Sequence, residues 1–171
     1  MSIRTLTFDE LAAALGDPRP YMQEDGQVSR EWELEILGVA HFPAPLPLSW
    51  DPSHLVTKFR CHKRLIPLFE TALNLIHGRP DVWATIDDFG GCYNWRSNRL
   101  NKKKLSAHAW GAAIDLDVKD NPQGRRKGRS MVDPWVVECF EDQGFIWGGR
   151  FGGESYDPMH FELIADRMLT G

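Results

Sequence analysis

The sequence predicts one α+β domain built on a small antiparallel sheet with flanking helices. Predicted helices and strands follow one another without the repeated strand–helix–strand units that produce a parallel sheet. The chain has 171 residues, of which 42% are hydrophobic, so it is long enough to bury one core and short for two. We find no internal repeat and no linker-like segment. Residues 1–171 are therefore expected to form one unit, with residues 1–57 packed on a core at about 58–165.

The N-terminal third is predicted to contain a helix, a strand and an extended segment. Thr7 and Glu10 have the spacing of a capping box, and the apolar residues between them and Gly16 predict a short amphipathic helix. Residues 32–39 partly alternate between apolar and polar side chains, which indicates a strand. Residues 41–52 include four prolines and predict an irregular or extended connection.

The middle of the chain is predicted to contain one long helix and one strand. Apolar residues recur at helical spacing over residues 58–77, and Gly78 ends the pattern. Residues 83–88 indicate a strand, and residues 89–104 form a long loop that contains glycine.

The C-terminal part is predicted to supply the rest of the sheet and a second helix. Residues 113–118 alternate cleanly, so their apolar side chains face the core and their aspartates face the other way. A polar, basic loop at 119–130 leads to a helix that begins at Asp133 and its following proline. Residues 145–147 and 160–164 are predicted to be strands.

Charge is distributed unevenly along the chain. The net charge is -4, yet residues 96–129 carry ten Lys and Arg against three Asp, a local charge of +7. Such a run forms either a solvated loop face or a surface that attracts an acidic polymer. Because no module signature for RNA or DNA accompanies it, nucleic acid is not an expected partner.

Cysteine spacing and hydropathy predict the compartment in which the protein is made. The three cysteines, Cys61, Cys92 and Cys139, have no CxxC spacing, which argues against a disulfide framework and against a zinc site made of thiolates. The N-terminus lacks the apolar segment of a signal peptide, and no stretch reaches the roughly 18 apolar residues of a membrane span. We expect synthesis in the cytoplasm without a signal peptide, and no membrane association.

Two histidines and one aspartate have the types and positions of a catalytic metal site. His108 lies in a loop, Asp115 lies on the polar face of the strand that follows, and His160 begins the last predicted strand. Catalytic zinc takes three such ligands and leaves a fourth position for water. Asp157 precedes Pro158, which biases its backbone to the extended region and lets its carboxylate approach the ion as a general base. Taken singly, such a histidine is more often an ordinary surface or core residue and Asp157-Pro158 is simply a turn, so the prediction depends on their coincidence.

The two motifs together resemble the signature of a known peptidase family. Residues 106–115 read SAHAWGAAID and residues 157–160 read DPMH. The pairing is similar to that of the zinc D-Ala-D-Ala carboxypeptidase and L-Ala-D-Glu endopeptidase family of the LAS group, which also contains lysostaphin-type enzymes and the hedgehog signalling domain. The likeness runs from about residue 90 to residue 163 and includes GFIWGG at 144–149. It implies a LAS/hedgehog-like metallopeptidase fold.

The resemblance implies a role for each motif residue. The zinc ligands, one ion per chain, would be His108, Asp115 and His160, with Asp157 as the base. An arginine upstream of the first motif contacts the substrate and the developing oxyanion in the family; Arg96 is the better candidate here and Arg99 the second, with a solvated surface arginine as the alternative. Zinc in this setting acidifies a bound water and Asp157 accepts the proton.

Further candidates surround the motifs. Ser106 either steadies the ligand loop by hydrogen bonding or is a plain turn serine. Trp110 and Trp147 either line the substrate cleft or belong to the core, and Tyr93 is a candidate for the substrate rim. Asp117 stands where relatives often have Asn, so its role is open between support of the site and simple exposure.

The implied function is hydrolysis of peptide bonds in peptidoglycan stem peptides. Two activities fit, an L-Ala-D-Glu endopeptidase and a D-Ala-D-Ala carboxypeptidase, and the basic region at 96–129 favours an acidic wall polymer as substrate. We expect a monomer that acts in cell-wall lysis, as phage endolysins do after release from the cytoplasm. The alternative is a zinc-containing binding or assembly domain without catalysis on the same scaffold.

Overall fold

The computed structural model describes residues 4–96, 105–124 and 132–164. These residues form five α-helices and six strands. The helices are α1 (Phe8–Leu15), α2 (Arg30–Ile36), α3 (Ile66–His77), α4 (Pro80–Trp83) and α5 (Pro134–Asp142). The strands are β1 (Leu37–Leu48), β2 (Asp51–His62), β3 (Phe89–Gly91), β4 (Ala113–Leu116), β5 (Phe145–Trp147) and β6 (His160–Leu163).

The six strands form one sheet in the order β2-β1-β3-β4-β6-β5. Neighbouring strands are antiparallel except for β1 and β3, which pair in parallel where Leu48 meets Phe89. The α+β class predicted from the sequence is confirmed. The sheet is mixed rather than purely antiparallel, because the chain crosses over through α3 and α4 before β3 joins β1.

The predicted first helix is correct, whereas the strand predicted at 32–39 is correct only for residues 37–39, which begin β1. In α1 the side chain of Thr7 accepts a hydrogen bond from the backbone N–H of Glu10, and the Glu10 carboxylate accepts one from the backbone of Thr7, which completes the capping box. Residues 30–36 are helical because Trp32 and Ile36, four positions apart, are buried on one face at 1% and 3% exposure.

The proline-rich segment is not an irregular connection but part of the long hairpin β1–β2. Its pairing register is interrupted between His41 and Leu46, where Pro43 and Pro45 lie. Proline has no N–H for a ladder hydrogen bond, so strands tolerate it at such irregularities.

The predicted helix at 58–77 begins later than expected. Residues 58–62 belong to β2, where exposed and buried side chains alternate, and α3 starts at Ile66 with Pro67 in its first turn. The strand predicted at 83–88 is also wrong, since Trp83 ends α4 and the neighbouring strand is Phe89–Gly91. The strand predicted from 113 ends at Leu116, whereas the strands near 145 and 160 and the helix after Asp133 lie where they were predicted.

The core lies between the sheet and the helices α3 and α5. Phe69 of α3 contacts Phe145 of β5 at a ring distance of 4.7 Å, and Phe140 of α5 stacks on Phe161 of β6 at 4.5 Å. Ile114 of β4 is also completely buried. Because side chains alternate along a strand, the residues between these core positions on β4 and β6 face the opposite side of the sheet.

The N-terminal segment packs on that opposite side. Phe8 contacts the ring of Trp110 edge-on at 5.4 Å, and the indole N–H of Trp110 donates to the carbonyl of Gly16 at 2.9 Å. Thr5 forms an isolated antiparallel bridge with Ile164, next to the end of β6. Within the described ranges, no helix combines the length and the apolar character needed to cross a membrane.

Candidate metal centre

The structure brings the three predicted ligands to one point. The Nε2 atom of His108 lies 3.2 Å from Nδ1 of His160 and 3.3 Å from Oδ1 of Asp115. The third side of this triangle, from Nδ1 of His160 to Oδ1 of Asp115, measures 2.9 Å. All three residues are buried, with exposed fractions of 2%, 6% and 7% for His108, Asp115 and His160.

Strand pairing delivers two of the ligands. Strands β4 and β6 are antiparallel neighbours, and their register sets Asp115 directly opposite His160. Directly paired residues have Cβ atoms about 5 Å apart on the same face of the sheet, close enough for both side chains to reach one ion.

A tight turn delivers the third ligand. His108 lies in the 3-10 turn Ala107–Trp110, which ends at Gly111 in the left-handed region with φ 62°. A Cβ atom on Gly111 would lie 2.6 Å from the backbone nitrogen of His62, so the position requires glycine for its conformation and for its close approach to β2. At the start of the turn, Ser106 Oγ accepts a hydrogen bond from the backbone N–H of His108 at 3.4 Å.

The donor set fits a tetrahedral metal ion. Zinc binds histidine nitrogen and carboxylate oxygen at about 2.0 to 2.2 Å, which separates neighbouring tetrahedral ligands by about 3.3 to 3.6 Å. The observed separations of 2.9, 3.2 and 3.3 Å lie close to that value. In the part of the chain that the structure describes, the group contains these three side chains and no fourth Cys, His, Asp or Glu. The geometry therefore suits an ion with a position left for another ligand.

Hydrogen bonds on the far side of each imidazole fix which nitrogen faces the centre. Nδ1 of His108 lies 2.6 Å from the carbonyl oxygen of Cys92, and Nε2 of His160 lies 2.8 Å from Oε2 of Glu162. Both oxygens accept hydrogen bonds, so these nitrogens carry protons and donate them. When an ion binds, the lone pairs of His108 Nε2 and His160 Nδ1 would therefore face it.

Glu162 is a site residue that the sequence reasoning missed. It lies two positions after His160 on β6, and alternate residues of a strand share a face. That spacing alone could have indicated a carboxylate behind the ligand. Its contact with the ring of His160 would complete an arrangement of carboxylate, histidine and metal if an ion were bound, and such an arrangement holds an imidazole in one orientation.

The electrostatics of the centre favour a positive charge. Burial opposes ionisation of Asp115, but the charges and hydrogen bonds of His108 and His160 hold the pKa of its carboxyl well below the usual range. Burial likewise opposes protonation of His160, yet its hydrogen bonds to Asp115 and Glu162 raise its pKa to about 10. The raised pKa of His160 means that the neighbouring carboxylates favour positive charge at this point, whether a proton or a metal cation carries it.

A cavity of about 350 Å³ opens onto the centre. Asp115 and His160 line it together with the predicted base Asp157 and the predicted substrate arginine Arg96. The backbone carbonyl of Arg96 accepts a hydrogen bond from Ser106 N–H at 3.1 Å, which ties the arginine to the ligand loop. Leu6 and Phe8 of the N-terminal segment also line the cavity, so the first helix contributes to its wall.

The predicted aromatic site residues lie elsewhere. Trp110 is completely buried and belongs to the core beneath α1 rather than to the cleft. The guanidinium of Arg60 stacks over the ring of Tyr93 at 4.9 Å, away from the described residues that line the cavity. Trp147 is half-buried, and its indole N–H donates to the carbonyl of Pro158 at 2.7 Å. Arg99 lies outside the described residues.

Asp117 turns away from the ligands. It follows the end of β4 with φ 54°, so strand alternation no longer applies to it. Its Oδ2 accepts a hydrogen bond from the side-chain amide of Asn121 at 2.7 Å. Burial, followed by the charges of Asp120, Asp87 and Asp88, raises its pKa to about 6.

The basic loop predicted at 119–130 is described only as far as residue 124.

An arrangement of three ligand residues beside an open cavity is typical of hydrolytic metalloenzymes. Residues 100–163 match a family model described as D-alanyl-D-alanine carboxypeptidase. The match includes all three ligands and Asp157, and it confirms the family resemblance predicted from the motifs. It supports a hydrolase that acts on peptide bonds. No curated protein and no solved structure matches the chain significantly.

Proposed function

We propose that this chain is a zinc peptidase that hydrolyses peptide bonds in the stem peptides of peptidoglycan. The observation that carries the proposal is the triangle formed by His108, Asp115 and His160 at the wall of a cavity that also holds Asp157. A structural zinc site is normally closed by four protein ligands, whereas a catalytic one has three and keeps a position for water.

The ligand residues hold the ion and set its orientation. His108 would bind through Nε2, His160 through Nδ1 and Asp115 through Oδ1, because these atoms face one another across the triangle. When bound, zinc polarises the scissile carbonyl and lowers the pKa of a water molecule to about 7.

The remaining steps belong to two side chains of the cavity. The carboxylate of Asp157 accepts a proton from the attacking water and later passes it to the nitrogen of the leaving amine. Arg96 lines the same cavity, where its guanidinium would stabilise the negative charge that develops on the carbonyl oxygen. Both groups act only if the peptide carbonyl enters between them and the ligand triangle.

Two cleavage reactions remain open within this proposal. The description of the matched family favours removal of a terminal D-Ala from a D-Ala-D-Ala end. The charge of +7 across residues 96–129 favours attraction to an acidic wall polymer, and with it cleavage of the L-Ala-D-Glu bond within the stem. We place the enzyme in cell-wall lysis, made in the cytoplasm and active on the wall after release.

Digestion of purified peptidoglycan tests the proposal. Zinc-loaded protein should release fragments whose new termini, read by mass spectrometry, identify the cut bond. Asp157→Ala should reduce the rate by about 100-fold or more, since general base catalysis typically contributes that much. Asp81→Ala, an exposed aspartate at the start of α4, is the matched control and should cleave at the wild-type rate.

The same experiment exposes the alternative, a zinc-containing binding domain without catalysis. If the wild-type protein binds zinc and yet neither it nor Asp157→Ala releases fragments from peptidoglycan, the catalytic proposal is wrong.

A further inference from the structure

The turn that carries Asp157 is held by the stretch Trp147-Gly148-Gly149. The carbonyl of Gly148 accepts a hydrogen bond from the backbone N–H of Asp157 at 3.0 Å. The indole N–H of Trp147 donates to the carbonyl of Pro158, the next residue, at 2.7 Å. Two consecutive residues of the turn are thus bound by two consecutive residues at the end of β5.

The two glycines are required by close packing at this contact. A Cβ atom on Gly148 would lie 2.2 Å from the carbonyl oxygen of Asp157. A Cβ atom on Gly149 would lie 2.3 to 2.4 Å from three atoms of the Trp147 ring. Such separations are far below van der Waals contact, so any larger residue at 149 would displace the indole. Because both positions are glycine, no side chain lies between the indole and the turn that it binds.

The same strand also fixes the metal ligand that follows. Trp147 of β5 pairs with Phe161 of β6, the neighbour of His160. The backbone N–H of His160 in turn donates to the carbonyl of Asp157 at 3.1 Å. Base and ligand are therefore both connected to the strand pair β5–β6. The indole binds the residue directly after the base, and Trp147 is not among the described residues that line the cavity.

We propose that Trp147 is a positioning residue, which sets the carboxylate of Asp157 for proton transfer by holding the carbonyl of Pro158. This inference rests on the proposed function, because it concerns the placement of the base. Displacement of a catalytic group by about 1 Å can cost about 100-fold in rate, so loss of this contact should lower turnover while leaving the metal ligands in place.

Trp147→Phe tests the inference, since it keeps an aromatic ring and removes the N–H donor. We expect kcat on a stem-peptide substrate to fall about tenfold, with KM and zinc affinity within twofold of wild type. Trp135→Phe is the matched control: its indole also faces a backbone carbonyl, that of Leu75 at 3.5 Å, but on α5. The control should retain the wild-type kcat.

A second variant removes the donor without changing shape. Replacement of Trp147 by benzothienylalanine exchanges the N–H for sulfur in the same bicyclic ring, so it keeps the packing on Gly149. The same fall in kcat supports the hydrogen bond. A wild-type kcat in this variant overturns the proposal, even if Trp147→Phe proves unstable.

A double-mutant cycle separates positioning from general stability. If Trp147 acts through Asp157, Trp147→Phe should change the residual rate of Asp157→Ala by less than twofold, because the group it positions is already gone. A further tenfold loss in that background would overturn the proposal. If Asp157→Ala itself were as active as wild type, the proposed function would fail instead, so the two failures are distinguishable.

Discussion

Two clusters of possible metal ligands lie near the end of β4, and they differ in what surrounds the central carboxylate. In the first, Asp115 meets His108 and His160, and all three are buried. In the second, Asp117 meets Asp87 and Asp120, of which Asp87 is exposed and Asp120 half-buried. Both bring three ligand-capable atoms within 4.8 Å of one another.

The chemistry of the two clusters diverges despite this similar spacing. The imidazoles lower the pKa of Asp115, whereas burial and neighbouring carboxylates raise that of Asp117 to about 6. His108 and His160 are also locked from behind by Cys92 and Glu162. The first cluster has the nitrogen and oxygen donors, with fixed tautomers, that suit a transition metal, whereas the second offers carboxylates only.

Among the changes that test this difference between the clusters, loss of a predicted ligand should have the largest effect on zinc affinity. His160→Ala removes one of three donors, and zinc affinity should fall by at least about 100-fold, more than the loss of a residue that only supports a ligand. Competition with a chromophoric chelator measures it. Asp87→Ala, in the second cluster, should leave the affinity unchanged; an equal loss in both variants would contradict the distinction.

Gly111→Ala should be the next largest change, and it acts on stability. The left-handed backbone costs about 1 to 3 kcal/mol for a non-glycine residue, and the overlap with β2 adds about 1 to 3 kcal/mol. The free energy of unfolding in urea should therefore fall by about 3 kcal/mol. Gly26 has φ 78° with open space around it, so Gly26→Ala isolates the backbone contribution and should cost clearly less.

Glu162→Ala tests the carboxylate that contacts the far side of the His160 ring. Removing the carboxylate that orients His160 should weaken zinc binding by about 10- to 100-fold. Isothermal titration with zinc measures the loss, and Glu162→Gln, which keeps an accepting oxygen, should lose less. Wild-type affinity in Glu162→Ala would show that the contact at 2.8 Å does not orient the ring.

Asp117→Asn should have the smallest effect. Its carboxylate is bound by Asn121 and faces away from the ligand triangle, so zinc affinity should stay within twofold of wild type. The same titration checks it. A large loss would mean that the second cluster contributes to binding at the first.

The sequence was most informative about the candidate metal centre, because the residue types there indicate the chemistry directly. Spacing and strand phase brought His108, Asp115 and His160 into one hypothesis, and direct pairing of Asp115 with His160 explains why strand phase sufficed. The prediction from strand alternation failed for Asp117, because β4 ends at Leu116 and Asp117 itself has a φ of 54°.

Prediction was weakest in the N-terminal third, where local signals compete with long-range pairing. Residues 32–36 alternate partly and yet form a helix, because Trp32 and Ile36 find one buried face there. The prolines at 43–47 argued against a strand, but β2 pairs with that segment on either side of an irregular stretch. Neither contact can be read from neighbouring residues, since both depend on partners far along the chain.

The contact behind the role proposed for Trp147 could not be predicted for the same reason. Its residue type is equally suited to a cleft wall or a core, and only the fold shows its indole bound to Pro158. The glycines after it carried a signal, because two consecutive small residues beside an aromatic ring often mark close backbone approach.

The coordination of zinc in the loaded protein tests the central claim most directly. X-ray absorption at the zinc edge should report one ion per chain bound by two imidazole nitrogens, one carboxylate and at least one water oxygen. Loss of imidazole scattering in both His108→Ala and His160→Ala would assign those nitrogens. A spectrum with four protein ligands and no water, or one unchanged in both variants, would contradict the account.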